Sequence, residues 1–176
     1  MDNLEKQYYD YSVSWWEEIE APSEDEKDII QYLESYDLDG LDVLHVGVGN
    51  NFVARAFPTA KITGLTISIL EYQKAVSLQM PNYFNILIDK HDPALDKMIG
   101  MFDLIIDNNI GSYSRDFDSA CKFLKVALDH LKPEGSLITH TAGLGYRNPF
   151  DLSRAMNTLG SKRKVNYGAR GVVFIN

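Results

Sequence analysis

Residues 43–51 read Val43-Leu44-His45-Val46-Gly47-Val48-Gly49-Asn50-Asn51, an apolar run that ends in two glycines one residue apart. The apolar part is typical of a buried strand, and a short helix is predicted from Phe52 to Phe57. Glycine lets the backbone turn tightly and lets a ligand approach without a Cβ in the way. The helix that follows presents unpaired backbone N–H groups. The run therefore predicts a binding turn for an adenosine-containing cofactor; the alternative is a tight turn without a ligand.

Short apolar runs alternate with helical stretches on both sides of this turn, which is typical of βαβ units and a parallel sheet. The predicted strands are 42–46, 61–65, 83–88, 102–106 and 136–141, and the predicted helices are 24–36, 52–57, 69–79, 116–131 and 151–159. Two final runs, 162–167 and 171–175, are separated by three residues and predict a hairpin. The sequence thus predicts a Rossmann-like, open, mostly parallel seven-stranded sheet with helices on both faces and a C-terminal antiparallel hairpin.

The length of 176 residues fits a single domain, in which residues 1–40 form a helical and aromatic segment over the site and residues 41–176 form the α/β core. No apolar run approaches the ~20 residues of a membrane span, and the first residues do not resemble a secretory signal. The single cysteine, Cys121, is expected to be a small buried residue. We therefore expect no membrane association and a cytoplasmic location.

The net charge of −8 argues against a nucleic-acid partner, because a phosphate-binding face normally carries a cluster of Lys and Arg. The one basic cluster, 162–164, is interpreted as a solubilising strand edge. The histidines show no metal-ligand spacing, so no metal is expected.

Two classes of adenosine cofactor could occupy the glycine turn. A nicotinamide dinucleotide fingerprint requires a third glycine and an acidic residue about 20 positions further on. Phe52 stands at the third glycine position, and Thr66 ends the second strand. Both requirements fail, so a nicotinamide-binding protein is the less favoured hypothesis.

Four blocks of the sequence resemble, in order and spacing, those of the class I S-adenosylmethionine-dependent methyltransferases. They are 43–51, 56–68, 102–108 and 131–137, and they lie within residues 42 to 141. The resemblance implies S-adenosyl-L-methionine as the cofactor and methyl transfer to a small-molecule acceptor. The alternative is a catalytically degenerate protein of the same fold, which acts as a cofactor-binding or interaction module.

The resemblance also implies which residues bind the cofactor. The candidates in the α/β core are His45, Gly47, Gly49, Thr66, Ile67, Glu71, Asp89, Asp107 and Asn108. The two glycines would lie against the methionine end of the cofactor, and Asp89 would contact the adenine amine. The two residues after the fourth strand would lie near the sulfonium and the acceptor.

Two of these candidates depart from the family pattern. Thr66 stands where the family has a ribose-binding carboxylate, and residues 64–68 resemble instead the cyclopropane fatty acid synthase branch. Glu71, one helical turn further on, is the candidate to reach the ribose hydroxyls; a solvated helical glutamate is the alternative. His45 replaces an acid, and a neutral imidazole attracts the cofactor's ammonium less. Its alternative is a strand-end histidine hydrogen-bonded to neighbouring backbone.

An acceptor is expected in the crevice beyond the carboxyl ends of the strands. Aromatic residues are dense in the first 20 positions and could hold a cation over their faces; Tyr11 is the ligand candidate among them. Tyr146 and Arg147 are the candidates for acceptor binding, and Tyr113 is the candidate general base or orienting residue. Because methyl transfer needs mainly positioning, no dedicated base is required. A partner subunit could complete the acceptor pocket, and a homodimer would supply one.

Overall fold

A computed structural model of the chain describes residues 21–111, 116–144 and 150–176. The helices are α1 (Glu24–Leu33), α2 (Phe52–Ala56), α3 (Ile69–Ser77), α4 (Leu95–Met98), α5 (Phe117–Asp129) and α6 (Leu152–Thr158). The strands are β1 (Asp42–Val46), β2 (Lys61–Thr66), β3 (Tyr83–Leu87), β4 (Phe102–Ile106), β5 (Leu131–His140), β6 (Val165–Tyr167) and β7 (Val172–Ile175). Short 3-10 turns, Thr141–Leu144 and Ala169–Gly171, follow β5 and precede β7. None of the helices in these ranges is long and apolar enough to cross a membrane.

The seven strands form one sheet in the order β3-β2-β1-β4-β5-β7-β6. The first five are parallel, and β7 runs antiparallel to both β5 and β6. The chain moves outward from β1 to β3 and then returns to place β4 on the other side of β1. This reversal opens a crevice at the carboxyl ends of β1 and β4, where open α/β sheets bind ligands. The predicted fold class is confirmed.

Apolar side chains cover both faces of the sheet. Leu44 and Ile105 belong to the cluster that packs against α5 and α6. Val43 and Ile62 belong to the cluster that packs against α1 on the opposite face. Adjacent strand residues enter different clusters because successive side chains of a strand point to opposite faces. Cys121 is buried in the first cluster, as expected.

The strand before the hairpin differs most from the prediction. The sequence predicts a break at residues 132–135, yet β5 already begins at Leu131. Phe102 pairs with Leu131, and Leu104 pairs with Ser136, so residues 132–135 lie opposite Asp103 alone. Pro133 and Gly135 therefore occupy a bulge within the strand, which is where the backbone of a sheet tolerates them.

Candidate functional site

The glycine turn after β1 exposes its backbone. Gly47 and Gly49 have φ angles of 74° and 48°, in the left-handed region that favours glycine. Among residues 21–111, 116–144 and 150–176, no heavy atom lies within 4 Å of the position that a Cβ would take at either glycine. The backbone N–H of Gly47 donates to the carbonyl of Leu65 over 2.8 Å, which holds the turn against β2. The open space beside a pinned backbone fits a ligand that presses against the turn.

The side chain of Asn51 holds the glycine turn in place through hydrogen bonds. It is fully buried and has a φ of 63°, a conformation that asparagine tolerates better than most residues. The Tyr83 hydroxyl donates to Asn51 Oδ1 over 2.5 Å, and Asn51 Nδ2 donates to the carbonyl of Gly49 over 3.3 Å. Burial raises the pKa of Tyr83 and so keeps its hydroxyl a donor. Asn51 is thus a structural residue that ties the turn to β3.

Thr66 and Glu71 form a pair at the end of β2. The Thr66 hydroxyl donates to Glu71 Oε2 over 2.5 Å and accepts the N–H of Ser68 over 3.1 Å. Ser68 caps α3, and Ile67, which lies between Thr66 and Ser68 in the chain, is half-buried. The threonine that replaces the expected carboxylate therefore orients a carboxylate one helical turn away. The role of Glu71 toward a ligand stays a prediction.

The end of β4 carries an ion pair that the sequence analysis did not identify. Lys90 Nζ lies 2.9 Å from Asp107 Oδ2 and donates to the carbonyl of Asn109 over 3.1 Å. The same ammonium lies 4.9 Å from the centre of the Phe123 ring. Both members of the pair are largely buried, so the negative charge of Asp107 is neutralised inside the protein. Asp89, just before Lys90, is half-buried and accepts the N–H of His91 over 2.8 Å.

His45 is buried at the end of β1. Burial lowers its pKa to about 4 against the opposing charge of Asp107, so the ring is neutral at physiological pH. Its Nδ1 has no hydrogen-bond partner among the described residues. The described backbone around His45 therefore does not bond to this nitrogen.

The first turn of α1 borders the end of β4. Asn108 is buried, and its Nδ2 donates to Asp25 Oδ2 over 2.9 Å. A capping interaction forms at the start of α1, since Glu26 Oε2 accepts the backbone N–H of Ser23 over 3.3 Å. Burial raises the pKa of Glu26. The part of the N-terminal segment that the structure describes thus places carboxylates beside the predicted site.

The structure brings the predicted residues that end or follow β1, β2, β3 and β4 together at the carboxyl ends of these strands. Tyr11, Tyr113, Tyr146 and Arg147 lie outside the described residues. Within the described ranges, no group of three or more His, Cys, Asp or Glu side chains could hold a metal ion. A cleft of about 290 Å³ between the end of α5 and residues 159–163 lies at the opposite edge, where β5 begins.

Comparisons with solved structures identify this arrangement. The complex of DhpI with SAH is 16% identical and has a TM-score of 0.69, over 96% of this chain and 92% of that one. The N-methyltransferase NodS from Bradyrhizobium japonicum WM9, in complex with S-adenosyl-L-homocysteine, is 14% identical and has a TM-score of 0.64, over 94% and 95% of the two chains. The chain has the fold of the class I S-adenosylmethionine-dependent methyltransferases.

A third structure of this methyltransferase fold covers less of both chains. The sugar N-methyltransferase KedS8 from Streptoalloteichus sp ATCC 53650 is 15% identical and has a TM-score of 0.57, over 74% of this chain and 52% of that one. No protein-family model and no curated protein matches the sequence. The fold that the four sequence blocks predicted is confirmed, and the roles of individual site residues stay predictions.

Proposed function

We propose that the chain is an S-adenosylmethionine-dependent methyltransferase that acts on a small-molecule acceptor. The observation that carries this proposal is the open glycine turn at the reversal of strand order, where Gly47 and Gly49 leave room for a ligand against the backbone. The methyltransferase fold supports it, as do the similar structures whose names include S-adenosylhomocysteine.

Cofactor binding would divide among three strand ends. The backbone at Gly47 and Gly49 would hold the methionine end, Glu71 would bind the ribose hydroxyls in the orientation that Thr66 gives it, and Asp89 would bind the adenine amine. When bound, the cofactor supplies an electrophilic methyl group on a sulfonium. The protein's part is then mainly to align an acceptor nucleophile with that methyl group and to exclude water.

The acceptor side is assigned from the sequence. Tyr146 and Arg147 would bind the acceptor, Tyr11 would lie against the cofactor, and Tyr113 would orient the nucleophile or take its proton. The small-molecule class is supported by the names of similar structures, which include a sugar N-methyltransferase. The net charge of −8 supports a protein without a nucleic-acid partner. We further propose a cytoplasmic location, and a homodimer as the arrangement that would complete the acceptor pocket.

Two matched glycine substitutions test the cofactor site by isothermal titration calorimetry. Gly40 and Gly47 have nearly the same φ, 72° and 74°, and no atom of the part of the chain that the structure describes lies within 4 Å of a Cβ position at either. Alanine at either position therefore carries a similar backbone cost, about 1 kcal/mol. Gly40 precedes β1 and therefore lies at the amino ends of the parallel strands, away from the glycine turn.

We expect micromolar binding of S-adenosylmethionine and S-adenosylhomocysteine, weakened about tenfold or more by Gly47→Ala and unchanged by Gly40→Ala. No binding of either compound by the unsubstituted protein up to millimolar concentration would overturn the proposal. The protein could instead bind S-adenosylmethionine but form no S-adenosylhomocysteine when amine, hydroxyl or carboxylate acceptors are added. That result would favour the non-catalytic module.

A further inference from the structure

His140, at the end of β5, is hydrogen-bonded through both ring nitrogens. Nδ1 faces the backbone N–H of Ala142 over 3.1 Å, and Nε2 faces the carbonyl of Arg170 over 2.8 Å. An N–H group needs an acceptor, and a carbonyl needs a donor. The ring is therefore neutral in this arrangement, with its proton on Nε2.

Ala142 belongs to the Thr141–Leu144 turn, which packs directly against residues 108–111 after β4. The N–H of Gly111 donates to the carbonyl of Gly143 over 3.0 Å. A Cβ at Gly143 would lie 1.5 Å from the carbonyl oxygen of Asn108, so the two backbones are in direct contact. A displacement of the Thr141–Leu144 turn would therefore displace Asn108, which borders the crevice.

Charged groups approach His140 from two other elements. On α1, Asp28 Oδ2 lies 3.6 Å from Nε2 of the ring. Arg170, in the turn before β7, places its guanidinium 3.7 Å from the other oxygen of Asp28 and also bonds to Gln31. The carboxylate of Asp28 would thus stabilise a protonated ring on its Nε2 side, whereas the N–H of Ala142 opposes a proton on Nδ1.

We infer that His140 is a positioning residue for the crevice: its neutral ring holds the Thr141–Leu144 turn and, through it, residues 108–111 after β4, and protonation releases both. In the imidazolium both ring nitrogens are donors, so Nδ1–H and the N–H of Ala142 face each other and the hydrogen bond is lost. Acidification that protonates the ring is therefore the trigger.

The first test uses the full chain without a ligand. Amide hydrogen exchange and 15N chemical shifts of Ala142, Gly143 and Gly111 are followed by NMR from pH 8 to pH 5, together with the ring signals of His140. We expect the three amides to change together with the ring and their protection to fall on protonation. Amides that stay unchanged while the ring titrates would overturn the inference, and this measurement needs no variant.

A pair of substitutions separates His140 from general acid effects. The side-chain oxygen of His140→Asn can accept the N–H of Ala142 but cannot be protonated, so the pH step of Ala142 should disappear. The matched control is His130→Asn, since His130 also contacts a carbonyl and a carboxylate, those of Gly100 and Asp96. His130 directly precedes β5 and so lies at the amino ends of the parallel strands, away from His140. A step that persists in His140→Asn, or vanishes in His130→Asn, would contradict the assignment.

The last readout rests on the proposed function. The dissociation constant of S-adenosylhomocysteine should rise roughly three- to tenfold from pH 8 to pH 5.5 in the unsubstituted protein, which is the loss expected for one hydrogen bond. It should rise less in His140→Asn. A pH-dependent change of the three amide signals without S-adenosylhomocysteine binding at any pH would reject the cofactor but not the pH response of the Thr141–Leu144 turn. Binding with the same pH dependence in both proteins would reject the role of His140.

Discussion

At the scale of single residues, the Thr66–Glu71 pair leads us to predict how the protein binds the ribose of the cofactor. The carboxylate of Glu71 is held by the hydroxyl of Thr66, so it needs little rearrangement to accept hydrogen bonds from a diol. Removing its charge by Glu71→Gln should weaken S-adenosylhomocysteine binding about 10- to 100-fold, because hydrogen bonds to a charged group contribute about 1.5–3 kcal/mol. Calorimetry measures the change.

The control for this prediction is Glu34→Gln, which removes the same charge from an exposed position after α1. Its affinity should match that of the unsubstituted protein. Equal affinities in all three proteins would place the ribose away from Glu71. A second variant, Thr66→Val, should weaken binding by a smaller factor, because the carboxylate remains but loses the group that orients it.

The sequence predicts the residues of this site unequally. Gly47 and Gly49 follow from their spacing after an apolar run, and Glu71 follows from the resemblance of residues 64–68 and from its place in the first turn of α3. Lys90 was missed, because its partners Asp107 and Asn109 belong to a different strand end and only the topology brings them together. Asn51 could have been anticipated, since asparagine is a residue that tolerates a left-handed turn conformation.

At the scale of elements, the basic cluster 162–164 has a structural role that its composition did not indicate. The guanidinium of Arg163 donates to the carbonyls of Gly135 and Lys132 over 2.7 and 2.8 Å, at the bulge in β5. Arg163→Met should therefore lower the free energy of unfolding by about 2 kcal/mol, as expected when hydrogen bonds from a charged donor are lost.

Urea unfolding at neutral pH measures this difference. The neighbouring substitutions Lys162→Met and Lys164→Met remove the same charge without these two carbonyl contacts, so each should change stability by less than about 0.5 kcal/mol. Equal losses in all three variants would mean that the two carbonyl contacts of Arg163 contribute nothing specific to stability, and would leave the cluster as a solubilising strand edge.

The elements were predictable where one periodicity or cap defines them. Ser68 and Asp116 cap α3 and α5 through their side-chain oxygens, and both helices begin beside those residues. β5 was not predictable, because Pro133 and Gly135 signal a loop by local rules. The pairing with β4 and the contacts of Arg163 retain them within the strand, and neither effect is visible in the local sequence.

At the scale of the whole molecule, two buried groups with opposite pKa shifts set the pH dependence of stability. Burial lowers the pKa of His45 from 6.5 to about 4. Between these values the unfolded chain binds a proton that the folded protein does not, so stability falls as the pH falls. Burial raises the pKa of Glu26 above 4.5. Here the folded protein binds the extra proton, so stability falls as the pH rises through that range.

The two contributions therefore oppose each other just above pH 4.5, and single substitutions should separate them. The shift of His45 corresponds to about 3 kcal/mol between pH 6.5 and 4. In Glu26→Gln, the increase of unfolding free energy with pH should become steeper, whereas His45→Asn should flatten or invert it. Urea unfolding at half-unit pH steps measures both slopes. A slope in His45→Asn equal to that of the unsubstituted protein would show that the His45 ring is protonated alike in the folded and unfolded states, and would contradict the prediction.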